Sequence, residues 1–296
     1  MLQQTRVEVV RDYYARWVKT FPTVESLARA PFHRVLKLWE GLGYYTRARN
    51  LHRAAKVLDR RHRGSLPQTV DELRKLPGIG RYTAGAIASI AFDQAALLVD
   101  GNVARVFARV FGVRSDVTRP KTQKLFWTLA TELLPTNDPG TFNQALMELG
   151  ALICTPANPQ CTTCPMHRVC FARAKGRQDE LPVRVAKSAH KPVVQDVVLV
   201  RRGNRILLRH RPALGLLAGL WELPPLEKNL FRSRAPLLTL RHTITSKKIT
   251  LRVFAGGGSS APKSNGSLRW ASAKDLTRLS LPAAHRRALE QIGRLR

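Results

Sequence analysis

The sequence predicts a multidomain chain: an all-α domain that ends in a four-cysteine loop, followed by an α+β domain. Three observations predict it. Residues 1–153 read as helix after helix, all four cysteines fall between 154 and 170, and strand-like runs begin at Val193. With 296 residues, 44% of them hydrophobic, the chain is long enough for two buried cores of ordinary size. The boundaries that follow are 1–171 for the helical domain with its cysteine loop, 172–190 for a polar, basic linker, and 191–296 for the α+β domain.

In the first part, Val7, Val10, Tyr14, Trp17 and Val18 recur at helical spacing. Further helical stretches run over 32–40, 46–62, 81–92, 101–111, 120–134 and 141–153. Thr69 with Glu72 fits a capping box that opens a short helix. Gly41, Gly43 and Gly64 stand where helices would stop. In the second part, Val193–Val200 and Arg205–Arg209 flank Gly203-Asn204, a hairpin signal. Leu237–Thr243 and Lys248–Phe254 read as strands, Gly256–Gly266 as a loose loop and Ala283–Leu295 as a closing helix.

The charge balance narrows the partner. There are 50 Lys and Arg against 20 Asp and Glu, a net +30. The surplus is +14 over residues 1–190 (29 basic, 15 acidic) and +16 over 191–296 (21 basic, 5 acidic), so no single tail carries it. A surplus of this size, spread over both parts, points to a polyanion. No apolar run approaches the ~18 residues that a membrane-spanning helix needs. Residues 1–20, with Arg6, Glu8, Arg11, Asp12 and Arg16, are neither a signal peptide nor an obvious transit peptide, so an intracellular protein with no membrane partner is expected.

Three local patterns carry chemistry. Cys154, Cys161, Cys164 and Cys170 are spaced C-x6-C-x2-C-x5-C. Intracellular chains seldom keep disulfides, and four thiolates hold either a four-iron cluster or a zinc ion. Zinc more often takes two separated C-x2-C knuckles, so one compact, uneven loop favours the cluster. Next, Leu76-Pro77-Gly78-Ile79-Gly80-Arg81 permits a tight turn into a helix starting near Arg81. Its backbone N–H groups suit a phosphate, although an ordinary helical hairpin has the same glycines. Last, Asp100 follows the apolar run Leu97-Leu98-Val99 at a helix start. It reads either as a plain N-cap or as a carboxylate held against a forming cation.

Taken in order, these pieces resemble the endonuclease III superfamily of helix-hairpin-helix DNA glycosylases. Met1–Thr5, Gly41–Tyr45, the hairpin 76–85, Val99–Val103, Asn143–Gly150 and the cysteine loop all match. Within it the chain is similar to the adenine glycosylase (MutY-like) branch. Tyr82 stands where the bifunctional branch carries its Schiff-base lysine, 143–150 is the adenine-branch version of its helix, and 191–296 corresponds to a Nudix-like lesion-reading domain. The resemblance implies a monomeric, cytoplasmic, nucleoid-associated repair enzyme with a [4Fe-4S] cluster. It would flip adenine out of a duplex containing 8-oxoguanine:adenine or guanine:adenine and hydrolyse its glycosidic bond. It also implies an aspartate, matched by Asp100, that stabilises the cationic sugar. Asn102, Tyr82 and Glu148 match its supporters, and Gln4 and Tyr44 match residues wedged around the lesion base. Gly78 and Gly80 fall in the hairpin that grips the DNA backbone.

The chain also departs from that pattern. The family's proton-donating glutamate lies two residues before the position of Met1, and Glu8 and Asp12 do not align with it. The 296-residue chain is therefore expected to bind lesions better than it cleaves, the alternative reading being a catalytically impaired lesion-binding fragment. No G-x5-E-x7-R-E-x2-E-E pattern occurs, so nucleotide hydrolysis is not expected of the second domain. The lesion-reading loop usually runs His-Thr-Phe-Ser-His. Here His242-Thr243 continues as Ile244-Thr245-Ser246, so Thr245 keeps the hydroxyl and Ser246 replaces the histidine.

Overall fold

A computed structural model describes residues 1–185, 191–226, 235–244, 246–256 and 267–294. Its helices are α1 (Val7–Thr20), α2 (Val24–Arg29), α3 (Phe32–Trp39), α4 (Thr46–Arg61), α5 (Val70–Arg74), α6 (Arg81–Phe92), α7 (Gly101–Val110), α8 (Pro120–Leu133), α9 (Pro139–Glu148) and the short α10 (Phe171–Ala174). Among the described residues six strands follow, β1 (Lys191–Arg202), β2 (Arg205–His210), β3 (Trp221–Glu222), β4 (Leu238–Ile244), β5 (Lys247–Gly256) and β6 (Leu268–Ala271). Helices α11 (Ala273–Arg278) and α12 (Ala283–Arg294) end the chain. The multidomain reading holds: a helical part precedes an α+β part built on a sheet. No helix among the described residues is long and apolar enough to cross a membrane.

Contacts divide this chain differently from its texture. One compact unit joins Met1–Gly64 to Ser188–Arg296, and the other is Ser65–Lys187. In the first unit, Trp17, Phe21, Val35, Leu36 and Trp39 form one buried core, and Leu220 from the later segment belongs to it. Trp17 meets Phe21 and Trp39 edge-on, at 5.2 and 5.5 Å between ring centroids. Polar contacts tie the same two segments together. The Glu40 carboxylate accepts from Arg286 Nε at 2.6 Å and from the Leu281 N–H at 3.2 Å. Arg49 Nη2 donates to the Ala218 carbonyl at 3.0 Å.

The sheet runs β3-β2-β1-β5-β4, with β6 on β2. β1 and β2 pair antiparallel around Gly203-Asn204, as the hairpin signal requires, whereas β1 and β5 are parallel over Lys191↔Lys247 to Val200↔Gly256. Parallel pairing explains why Val197–Val200 reads as an unbroken apolar run: both faces of the strand are buried. Val197 and Leu199 pack with Ala284, Ala288 and Ile292 of α12, while Val198 and Val200 pack with Leu207, Leu268 and Trp270.

Several expectations are corrected. Thr69 accepts from the Glu72 N–H at 3.4 Å, but Glu72 reaches back to the Thr69 hydroxyl instead of its backbone, so the box is only half made. The reciprocal boxes are Thr23/Ser26 and Ser272/Asp275. The helix expected over 141–153 is α-helical only to Glu148 and continues as a π-helical turn, Leu149–Ile153. Helices α2, α10 and α11 and the short strands β3 and β6 were not anticipated, since each is too brief to show a period. Most of the loop 256–266 and the end of the linker lie outside the described residues.

Candidate functional site

The site residues expected from sequence fall in both units, and each unit is described by itself. In the second unit, α5, the turn through Pro77-Gly78-Ile79 and α6 form the expected hairpin. Gly78 has φ +82, which glycine adopts without a Cβ penalty, and the Ile79 N–H closes the turn on the Leu76 carbonyl at 3.2 Å. Gly80 is the N-cap of α6 with φ −89, and a Cβ added there would meet nothing within 4 Å. Nothing inside the described chain therefore demands glycine at 80. Space is left open in front of the first turn of α6, where N–H groups and the helix dipole face outward.

Asp100 is the N-cap of α7, so the plain reading of this residue is correct as far as it goes. One carboxylate oxygen accepts from the Asn102 and Val103 N–H groups at 2.8 and 2.7 Å, and the other from the Asn102 side-chain amide at 3.2 Å. Three donors from one helix start fix its orientation. Tyr82, from the first turn of α6, feels the Asp100 charge. Burial first and that charge second push the Tyr82 hydroxyl above its ordinary pKa, and the hydroxyl donates to Met147 Sδ at 3.2 Å. Glu148 follows Met147 at the end of α9 and is exposed. The structure thus groups Asp100, Asn102 and Tyr82 and leaves Glu148 at the rim.

The surrounding elements are locked by contacts that the sequence pattern did not single out. Buried Asn143 donates its amide to Ser89 Oγ and to the Ala96 carbonyl, both at 2.9 Å, holding the segment before Asp100 between α6 and α9. Gly85 allows that segment to lie directly on α6, since a Cβ there would stand 1.8 Å from the Leu97 carbonyl oxygen. On α7, Arg105 and Arg109 are buried to 6% and 2% exposure within an otherwise apolar helix face. Arg105 Nη2 donates to Asn102 Oδ1 at 2.9 Å and to the Gly150 carbonyl at 2.6 Å, and its Nε donates to the Cys154 carbonyl at 2.7 Å. Arg109 Nη1 donates to Cys154 Sγ at 3.3 Å and to the Thr155 carbonyl at 2.8 Å. Their only sequence signal is a pair of arginines one helical turn apart in VARVFARV.

Cys154, Cys161, Cys164 and Cys170 are free thiols that line one pocket together with Arg109, Met166 and His167. Burial raises the Cys161 and Cys164 thiols above their ordinary pKa, and the charges of Cys154 and Cys170 raise them further. Four thiolates that repel one another in a shared cavity suit a cationic occupant. Among the described residues, no three His, Cys, Asp or Glu side chains converge closely enough to hold a single metal ion. Four thiols of one loop are the donor chemistry that a four-iron cluster takes.

In the first unit, Gln4 and Tyr44 are exposed and have φ of +60 and +45. Arg47 on α4 donates to the carbonyl of Gln3, the residue before Gln4, and lies 5.6 Å from the centre of the Tyr44 ring. Thr245 lies outside the described residues.

A helical hairpin, an aspartate capping the following helix and a four-thiol loop define a class. The family model described as HhH-GPD superfamily base excision DNA repair protein matches residues 1–132, and a NUDIX domain model matches residues 196–291. The solved structure of a thermostable thymine-DNA glycosylase is 30% identical, covering 59% of this chain and 80% of its own, with a TM-score of 0.54. The chain belongs to the HhH-GPD superfamily of base excision DNA repair proteins. Its curated relatives are more particular. The adenine DNA glycosylase of Schizosaccharomyces pombe is 39% identical over 269 residues, 77% of this chain and 58% of that protein. The adenine DNA glycosylase of Homo sapiens is 40% identical over 273 residues, 76% of this chain and 50% of that protein. The chain thus spans about half the length of these two relatives.

Proposed function

We propose that this protein acts in base excision repair as an adenine DNA glycosylase, on adenine paired with 8-oxoguanine or guanine in duplex DNA. The observation that carries the reading is the Asp100 site. A carboxylate fixed by three donors at the start of α7 sits beside Tyr82 and follows a hairpin with an open helix start. Adenine must leave the stack before its glycosidic bond is reachable. As the bond breaks, the sugar becomes cationic, and a pre-oriented anion stabilises that charge without reorganising. Asp100 supplies the anion and Asn102 holds it in place, while Tyr82 brings no amine for a Schiff base. The departing adenine needs a proton from a separate acid, because an ionised Asp100 has none to give.

The hairpin at Gly78 and Gly80 would hold a phosphate, and Gln4, Tyr44 and Thr245 would meet the lesion side of the duplex. Cys154, Cys161, Cys164 and Cys170 would hold a [4Fe-4S] cluster, which would tie the loop together by satisfying four thiolates at once. Arg109 would then neutralise part of the thiolate charge from the loop's first cysteine.

Single-turnover assays on 8-oxoguanine:adenine duplex test the reading. Adenine release without a borohydride-trapped adduct supports it. Binding without release supports lesion recognition alone, and a trapped adduct supports a bifunctional lyase.

A further inference from the structure

Gln4 and Tyr44 share an unusual backbone. Both are exposed, neither is glycine, and both have positive φ, +60 and +45. The left-handed region costs an L residue about 1–2 kcal/mol, so it persists only where surrounding contacts impose it. The two residues lie on separate segments, 1–5 and 41–45, and one side chain reaches both.

That side chain is Arg47, in the first turn of α4. Its Nη1 donates to the Met1 carbonyl at 2.8 Å and to the Gln3 carbonyl. Its Nη2 donates to Thr5 Oγ1 at 2.9 Å, to the Leu42 carbonyl at 3.1 Å and to the Gly43 carbonyl at 3.4 Å. The guanidinium therefore holds the residues on each side of Gln4 and the two carbonyls ahead of Tyr44. It also lies 5.6 Å from the centre of the Tyr44 ring and 5.3 Å from that of Trp39. Trp39 is 1% exposed, and its indole N–H donates to the same Gly43 carbonyl at 3.0 Å, anchoring the assembly to the core. The two terminal nitrogens of the planar fork serve both segments at once, Nη1 the first and Nη2 both, a span that the compact ammonium of lysine lacks.

We infer that Arg47 is a positioning residue that clamps segments 1–5 and 41–45 together and so presents Gln4 and Tyr44, in left-handed backbone, as one lesion-probing pair. This rests on the proposed reading that these two side chains meet the lesion. Neither segment has a regular element to fix its conformation: residues 1–6 precede α1, and 41–45 connect α3 to α4. Without the clamp, each residue relaxes to ordinary φ and its side chain leaves the shared surface. The loss is one of discrimination, because the charges that attract any duplex are spread over both halves of the chain.

The test compares wild type, Arg47→Lys, the double variant Gln4→Ala/Tyr44→Ala and the triple variant that combines them. Each binds duplexes with 8-oxoguanine or guanine opposite 2′-fluoro-2′-deoxyadenosine, whose glycosidic bond resists cleavage. The Arg47→Lys variant keeps the charge and loses the fork. It is expected to lower the preference for the 8-oxoguanine duplex about tenfold, with no further loss when added to the double variant. Amide hydrogen exchange provides the structural readout, with faster exchange in 1–5 and 41–46 and unchanged protection in α1 and α3. An unchanged preference in Arg47→Lys, together with a lost preference in the double variant, overturns the inference. A preference unchanged in the double variant overturns instead the reading that Gln4 and Tyr44 meet the lesion. Loss of protection throughout the unit would make Arg47 a prop of the whole fold and also overturn the clamp.

Discussion

Arg105 shows how one side chain connects two parts of the site. It joins the amide that orients Asp100 to the carbonyl of the first cysteine, 49 residues further along the chain. Its partners are backbone and amide oxygens, that of Gly150 buried and the others partly so, and a buried acceptor left unpaired costs about 1–3 kcal/mol. Arg105→Lys keeps the charge but cannot span these acceptors. It is expected to lower the unfolding free energy by about 2–3 kcal/mol and to speed loss of iron from the protein. Chemical denaturation and elemental analysis after anaerobic purification check both effects. Zinc in place of iron in the wild-type protein would contradict the cluster assignment itself. Asp100, the glycines of the hairpin and the cysteines were legible in the sequence because each belongs to a local pattern. Arg105, Arg109 and Arg47 were not, because their roles depend on which distant carbonyls the fold brings to them.

At the scale of elements, the hairpin and the sheet make separate, testable demands. Gly80 has a backbone open to any residue and free space beside its Cα, so Gly80→Val leaves the unfolding free energy within about 0.5 kcal/mol. The same change blocks close approach of a phosphate. It is expected to weaken lesion-containing and plain duplex alike, by about tenfold, in fluorescence anisotropy. Loss of lesion affinity alone would remove the hairpin from backbone binding. In the sheet domain, α12 places His285 against β3, where Nδ1 accepts from the Leu223 N–H at 3.1 Å. Burial, outweighing the attraction of Glu222, lowers His285 from 6.5 to about 4, and Arg211, His242 and Arg209 act in the same direction as burial. The folded state thus binds fewer protons than the unfolded state between these values, so stability present above pH 6.5 is lost as pH falls toward 4. Titrating His285 alone removes up to ~3 kcal/mol. His285→Gln, which keeps an acceptor for Leu223, is expected to flatten that part of the profile in urea titrations at successive pH values. Parallel profiles would show that His285 does not titrate as its burial requires.

At the scale of the molecule, the order of helices, hairpin, cysteine loop and sheet was legible because long runs carry their own period. The grouping of Met1–Gly64 with Ser188–Arg296 was not. It rests on contacts such as Arg286 to Glu40, 246 residues apart, and on Leu220 filling a core otherwise built from α1 to α4. No local pattern announces a partner so distant. This grouping places the probing pair Gln4 and Tyr44 in the same unit as the strands that lead to Thr245, while Asp100 and the cysteine loop share the other. On the proposed function, lesion reading and excision would then be separable, each lost without the other. The most direct test is single-turnover adenine release from 8-oxoguanine:adenine duplex by the protein, beside its Asp100→Asn variant. Release is expected without a borohydride-trapped adduct, falling about a hundredfold or more in Asp100→Asn while affinity for the lesion duplex stays within about threefold. Equal release by both forms, or a trapped covalent adduct, would contradict an adenine glycosylase centred on Asp100.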